Sequence, residues 1–170
     1  TPGQAYGEGD VRAEDAAGAL PLRMSVDPPD TPGPLQWRRF TPLRDTVGMV
    51  VLRYQARVEP AEAPRRPGPS YDLRGAAGGF GGAFFSFLLL PPDLPESVDF
   101  GLHWDLAGLP AGALGASTRG VGDLATRIAA DEITTVFLLA GELGRWESPD
   151  SALHVFWIGQ PPFDARRAAA

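Results

Sequence analysis

The chain has no cysteine. That removes disulfides, thiolate zinc sites, iron–sulfur clusters and cysteine nucleophiles from its chemistry. Cysteine-free chains occur in cytoplasm and periplasm alike, so the compartment stays open. Lysine and asparagine are also missing, and every one of the 15 basic residues is arginine. Both absent residues have AT-rich codons, which points to a GC-rich, bacterial genome. Without lysine there is no Gly-Lys-Ser/Thr phosphate loop. Histidine occurs only at His103 and His154, neither with a neighbouring Glu or a second His four residues on. The H-E-x-x-H helix that puts two imidazoles on one zinc ion is therefore missing. No apolar run approaches the ~20 residues of a membrane span. The longest, Phe84 to Leu90, is interrupted by Ser86 and stopped by Pro91-Pro92. No signal peptide is visible, and the Thr1 start is expected to mark a processed chain or a fragment.

What is present is a chain of 170 residues with 21 Gly and 18 Pro, punctuated too often for long helices. Its length suits one domain with a real core. The net charge of -6 argues against nucleic acid or an anionic membrane as partner, since both need clustered positive charge. The arginine pairs Arg38-Arg39, Arg65-Arg66 and Arg166-Arg167 are too scattered to make such a patch.

Residues 1–19 lack a hydrophobic period and read as a loose arm. Leu20, Leu22, Met24 and Val26 alternate with polar or turn residues, as in a half-buried strand, and a short strand around Trp37 and Phe40 follows. Val50, Leu52, Tyr54, Ala56 and Val58 should share one face of a strand, with Arg53, Gln55, Arg57 and Glu59 on the other. After the Pro-rich loop 60–69, a Gly-rich lead enters Phe84 to Leu90, apolar on both faces as in a covered central strand. Phe100, Leu102, Trp104 and Leu106 alternate with Asp99, Gly101, His103 and Asp105. Leu109-Pro110-Ala111-Gly112 reads as a turn, Leu124 to Ile133 as a short helix, and Ile133 to Ala140 as a strand. Gly141 to Asp150 then reads as a polar loop and Leu153 to Ile158 as the last strand. The expected fold is mostly β, an antiparallel β-sandwich with at most one short helix. It should occupy residues 20–164, with residues 165–170 a linker stub.

Chemistry-bearing patterns are sparse. His103 and Asp105 share a strand's outer face, two residues apart, as a metal pair or a base with its orienting acid would; a solvated strand face is the more ordinary explanation. His154, between apolar neighbours, reads as a core or edge histidine. Gly115 to Gly120 is one residue too long for a serine-hydrolase elbow and reads as a loop. Gly120-Val121-Gly122-Asp123-Leu124-Ala125 fits G-x-G-x-x-A ahead of the expected helix, with Glu142 placed to hold a ribose. No apolar strand is expected before it, so a dinucleotide-binding enzyme is a minor alternative. Asp131-Glu132 and Asp27 with Asp30 read as solvation and capping. Trp104 and Trp157 read as core. Trp146, beside Arg145 in the expected loop, is the tryptophan best placed to bind a partner, and a free-standing glycan- or protein-binding module would use it.

From Val47 onward the order of segments resembles a known domain. Val47-Gly48-Met49-Val50-Val51-Leu52-Arg53-Tyr54 is similar to the v-x-v-x-Y strand in the N-terminal β domain of the glycyl aminopeptidase-like (gluzincin) zinc metallopeptidases. Gly81-Gly82-Ala83-Phe84-Phe85 matches its Gly-rich lead, and Trp104-Asp105-Leu106 ends a similar alternating strand. Leu109-Pro110-Ala111-Gly112 fits its l-P-x-G turn, and Phe137-Leu138-Leu139-Ala140-Gly141 with Leu143 resembles its a-G-x-l strand exit. The family's Trp-x-Pro-Gly-Ser-Tyr stretch is absent. The resemblance implies a β-sandwich that packs on a thermolysin-like catalytic domain of the same polypeptide, often followed by a PDZ domain, and borders the peptide site. It implies zinc in the parent protein's catalytic domain. No zinc ligand, catalytic residue or cofactor is carried onto this chain.

Overall fold

The computed structural model describes residues 3–28, 37–63, 71–160, 164 and 167. The chain divides into two compact units, Thr1–Arg57 and Val58–Ala170. The first holds β1 (Arg12–Asp15), β2 (Gly18–Ala19), β3 (Leu22–Val26), β4 (Arg38–Pro42) and β5 (Val51–Arg53). The second holds β6 (Arg74–Ala76), β7 (Gly79–Ala83), β8 (Ser97–Leu102), β9 (Leu114–Ser117) and β10 (Gly120–Val121). It continues with β11 (Leu124–Ala129), β12 (Phe137–Gly141), β13 (Leu143–Glu147) and β14 (His154–Ile158). The chain is mostly β and its strand ladders are antiparallel, as the punctuated sequence implies. Short 3-10 turns occur at Phe84–Ser86 and Ala130–Thr135. Among the described residues no helix is long and apolar enough to cross a membrane.

The second unit is organised by a five-stranded sheet in the order β10-β9-β12-β7-β6, accompanied by the pairs β11-β8 and β13-β14. The strand expected over Phe84 to Leu90 lies instead one segment earlier, in Gly79–Ala83. Its ladder partner β12 begins at Phe137, opposite Ala83. The Phe84 N–H closes the ladder on the Val136 carbonyl at 3.0 Å, after which the Phe87 and Leu88 N–H groups turn back to the Phe84 carbonyl. Ser86, buried, donates its hydroxyl to the Ala83 carbonyl at 2.9 Å, a local bond that competes with an extended ladder. Phe84 swings into the core, its ring 5.5 Å from Phe87 and 5.9 Å from Phe100. Ile128, Ile133, Val136, Leu138 and Ala140 are buried in the same unit.

The glycines of the lead are strand residues because the backbones approach closely. A Cβ on Gly79 would lie 2.0 Å from the Ala140 carbonyl oxygen, and one on Gly141 (φ +147) 2.5 Å from the Gly78 carbonyl oxygen. Side chains have no room there, which outweighs the entropic cost of glycine in a strand.

Three further expectations are corrected. Leu124 to Ile133 is not a helix: Leu124–Ala129 pairs in register with all six residues of β8, and only a 3-10 turn follows. A ten-residue helix is marginal without packing, so the ladder wins. The dinucleotide pattern therefore lacks its helix, and Gly120-Val121 is itself a strand. Leu114–Ser117, expected as loop, is β9, and the expected loop 141–150 contains β13. Both carry a glycine beneath a tryptophan: a Cβ on Gly115 would lie 2.2 Å from the Trp104 ring, and one on Gly144 2.3 Å from the Trp157 ring. Gly144 and Trp157 are direct cross-strand partners, so the indole supplies the packing that glycine lacks. The alternation over Phe100, Leu102, Trp104 and Leu106 holds in burial, although the ladder ends at Leu102. The turn at Pro110 is closed by the Ala113 N–H on the Pro110 carbonyl, 3.0 Å.

In the first unit the expected loose arm is largely structured. β1 pairs with β2 and β5, and Tyr6, Val11 and Leu20 are buried. Tyr6 meets Tyr54 edge to face at 5.1 Å, and burial, with the Tyr54 hydroxyl as a second cause, raises the Tyr6 phenol above its ordinary value. The strands expected at Leu20–Val26 and around Phe40 pair as β3 and β4. The long strand expected over Val50 to Val58 shrinks to β5, where Val51 lines a cleft while Val50 and Leu52 are each 40% exposed; past its end the expected sides hold, with Tyr54 and Ala56 half-buried and Gln55 and Arg57 exposed. Alternation marks which residues share a face but not which face is covered. The linker stub lies outside the described residues except for Arg167.

Asp15 is the electrostatic anchor of this unit. Its side chain is wholly covered, and its two oxygens accept from the Arg44 guanidinium at 2.7 and 2.9 Å. The Val47 N–H donates at 2.9 Å and the Ala17 N–H at 2.9 Å. The Arg44 bonds foremost, then the Val47 amide, hold the carboxyl well below the usual carboxylate range. A depressed carboxylate stabilises the fold above its unfolded pKa, near 3.9, and loses that contribution as pH falls toward its folded value. The first unit is therefore expected to weaken as pH drops below about 4. Urea denaturation of wild type against Asp15→Asn should show the variant weaker at neutral pH and the two converging in acid.

Candidate functional site

The residues singled out in sequence do not converge. His103 and Asp105 follow the end of β8. Both are exposed, but His103 pairs through Nδ1 with Asp123 rather than Asp105. Asp105 Oδ1 instead accepts the Ala107 N–H at 3.1 Å, closing its own turn. Strand alternation puts i and i+2 on one face, but the ladder stops at Leu102 and the turn after β10 brings Asp123 across. Arg145 is exposed and Trp146 half-buried, on β13 rather than on a loop. Trp146 is thus not the most open tryptophan: Trp37 is 55% exposed. His154, expected as a core or edge histidine, is exposed, with Nδ1 3.8 Å from a Glu147 oxygen. Among the described residues, no group of three or more His, Asp or Glu is positioned to hold a metal ion.

Asp123, a variable position of the Gly120–Ala125 pattern, organises a small polar cluster. Its Oδ1 accepts the Trp104 N–H at 2.9 Å, and its Oδ2 meets His103. The Trp104 amide foremost, with His103 second, holds this carboxyl below its ordinary value. The Trp104 indole N–H donates to the Gly122 carbonyl at 3.0 Å while its ring lies over Gly115. The cluster therefore ties the end of β8 to the β10–β11 turn. The His103 side chain is 82% exposed.

The larger feature is a groove of about 1170 Å³ in the second unit. Antiparallel pairing aligns Arg74 with Gly81, Gly81 with Leu139, Leu139 with Ala116, and Ala116 with Val121. These five residues, one from each strand of the sheet, share a face and all line the groove. Phe137, Phe156 and Ile158 add apolar lining. Gly81 matters here because the Leu139 side chain lies over it, only 2.4 Å from where a Cβ would be. On the wall, Arg74 donates from Nη1 to the Pro60 and Ala63 carbonyls at 3.2 and 2.7 Å. Among the described residues its Nε is buried without a hydrogen-bond partner. Arg119 is held by Glu132 at 3.0 Å. A second cleft, about 640 Å³ and lined by Leu20, Met24, Phe40 and Val51 among others, lies in the first unit.

No family model, curated protein or solved structure matches this chain.

The Asp123 cluster makes a direct prediction. Asp123→Ala should speed hydrogen exchange at the Trp104 backbone amide and weaken the near-UV circular dichroism of tryptophan. An unchanged Trp104 exchange rate would mean that Asp123 does not hold the end of β8.

Proposed function

We propose that this chain is a non-catalytic β-sandwich domain of a larger zinc aminopeptidase-like protein, one that packs on a downstream catalytic domain and borders its peptide site. The order of segments from Val47 to Leu143 supports this reading. The observation that carries it is an open aromatic cluster beside the sheet. Tyr71, Phe85 and Phe137 are 39%, 37% and 38% exposed. The Tyr71 ring lies 6.0 Å from Phe85 and 5.8 Å from Phe137. Contiguous exposed aromatics are what a domain interface buries. A second reading, a free-standing protein- or glycan-binding module, draws on the groove.

The full-length reading frame separates the two: a following domain with H-E-x-x-H supports the first, its absence the second. Phe85→Glu should weaken association with that domain about tenfold in a titration of separately purified parts, without lowering the melting temperature of this chain. Stoichiometric zinc binding with hydrolysis of amino-acid amides by this chain alone would overturn the non-catalytic reading.

A further inference from the structure

The geometry points to a specific occupant for the groove: an extended, largely apolar peptide segment carrying one acidic side chain, which Arg74 receives. This deepens the accessory-domain reading by naming what the peptide-facing side takes, and it is tested by a separate measurement.

Size selects the class of ligand. The lining crosses all five strands, about 19 Å at ~4.8 Å per strand, the span of about six extended residues. The volume, about 1170 Å³, exceeds that of most small-molecule sites, roughly 300–1,000 Å³. Lining chemistry narrows it further. Leu139, Val121 and Phe156 offer apolar contacts suited to the alternate side chains of an extended chain, and Asp72, Ser117, Thr118 and His154 supply the polar part of the lining. Val121, at the far end of the row, is 48% exposed and open to such contact.

Charge fixes the anchor. A guanidinium always carries its proton. Arg74 satisfies Nη1 with two neutral carbonyls, leaves Nε buried without a partner, and has no ion pair among the described residues. A buried cationic donor in that state is costly. A carboxylate entering the groove beside Arg74 supplies the counter-charge that neutral carbonyls do not. Arg119 is already neutralised by Glu132, so the preference is assigned to the Arg74 end.

The test is fluorescence anisotropy with the full chain and a labelled, end-blocked hexapeptide, acetyl-Glu-Val-Thr-Val-Thr-Val-amide, against the same peptide with Gln for Glu. The wild type should bind the Glu peptide about tenfold more tightly. Arg74→Gln should level the two. Val121→Ser, at an exposed position, should weaken both about threefold and keep their ratio. Should Arg74→Gln fail to fold, the wild-type ratio and its collapse in high salt decide the matter. Equal affinity for both peptides, or no binding of either up to about 1 mM, overturns the proposal. So does self-association that Val121→Ser abolishes, since a second copy would then fill the groove.

Discussion

The second unit depends on how closely the backbones of β7 and β12 approach. At Gly79 and Gly141 each chain occupies space that a neighbouring Cβ would need, with carbonyl oxygens only 2.0 and 2.5 Å from the would-be Cβ positions. β12 is the middle strand of the sheet, with β7 on one side and β9 on the other. Its ladder sets where β7 ends, so it decides that Phe84 turns into the core instead of continuing the strand. The same theme recurs at Gly115 and Gly144, where indole rings replace the absent side chains. Glycine here is a packing residue, and its conformational cost is offset by close backbone and aromatic contact.

That use of glycine explains what was legible in the sequence. Strands with period-two alternation and ordinary β formers, such as Leu22–Val26 and the β8 region, stand out because burial follows the pleat. Gly79–Ala83, Leu114–Ser117 and Leu143–Glu147 were hidden, since glycine and small or polar residues signal turns when their partners are unknown. Trp104 and Trp157, read as ordinary core residues, were the clue to two of them. The apolar stretch Phe84 to Leu90 misleads for the opposite reason: without a ladder partner it turns, burying Phe84 and leaving Phe85 and Leu90 exposed. Leu124 to Ile133 misled because a helix-compatible spacing also satisfies a strand when a six-residue partner is at hand.

The candidate sites were less legible than the fold. Of the residues marked by chemistry, His103 keeps a polar partner, but that partner is Asp123, contributed by a turn 20 residues on. Arg145 and Trp146 sit on a paired strand, alternating between its faces. The groove is assembled from in-register neighbours whose spacing along the chain carries no pattern: Arg74, Gly81, Ala116, Val121 and Leu139 meet only because the strand order is β10-β9-β12-β7-β6. Binding surfaces that run across a sheet are in general invisible to linear motifs, because their neighbours are set by cross-strand pairing and lie far apart in the chain.

The most direct measurement of this account compares urea denaturation of Gly79→Ala and Gly81→Ala. At Gly79 the added methyl meets fixed backbone and should cost about 3 kcal/mol. At Gly81 the nearest atom is the tip of the Leu139 side chain, which can rotate, so the cost should stay near 1 kcal/mol. A neutral Gly79→Ala, or a Gly81→Ala that costs as much, would contradict the claim that backbone contact between β7 and β12 sets this fold.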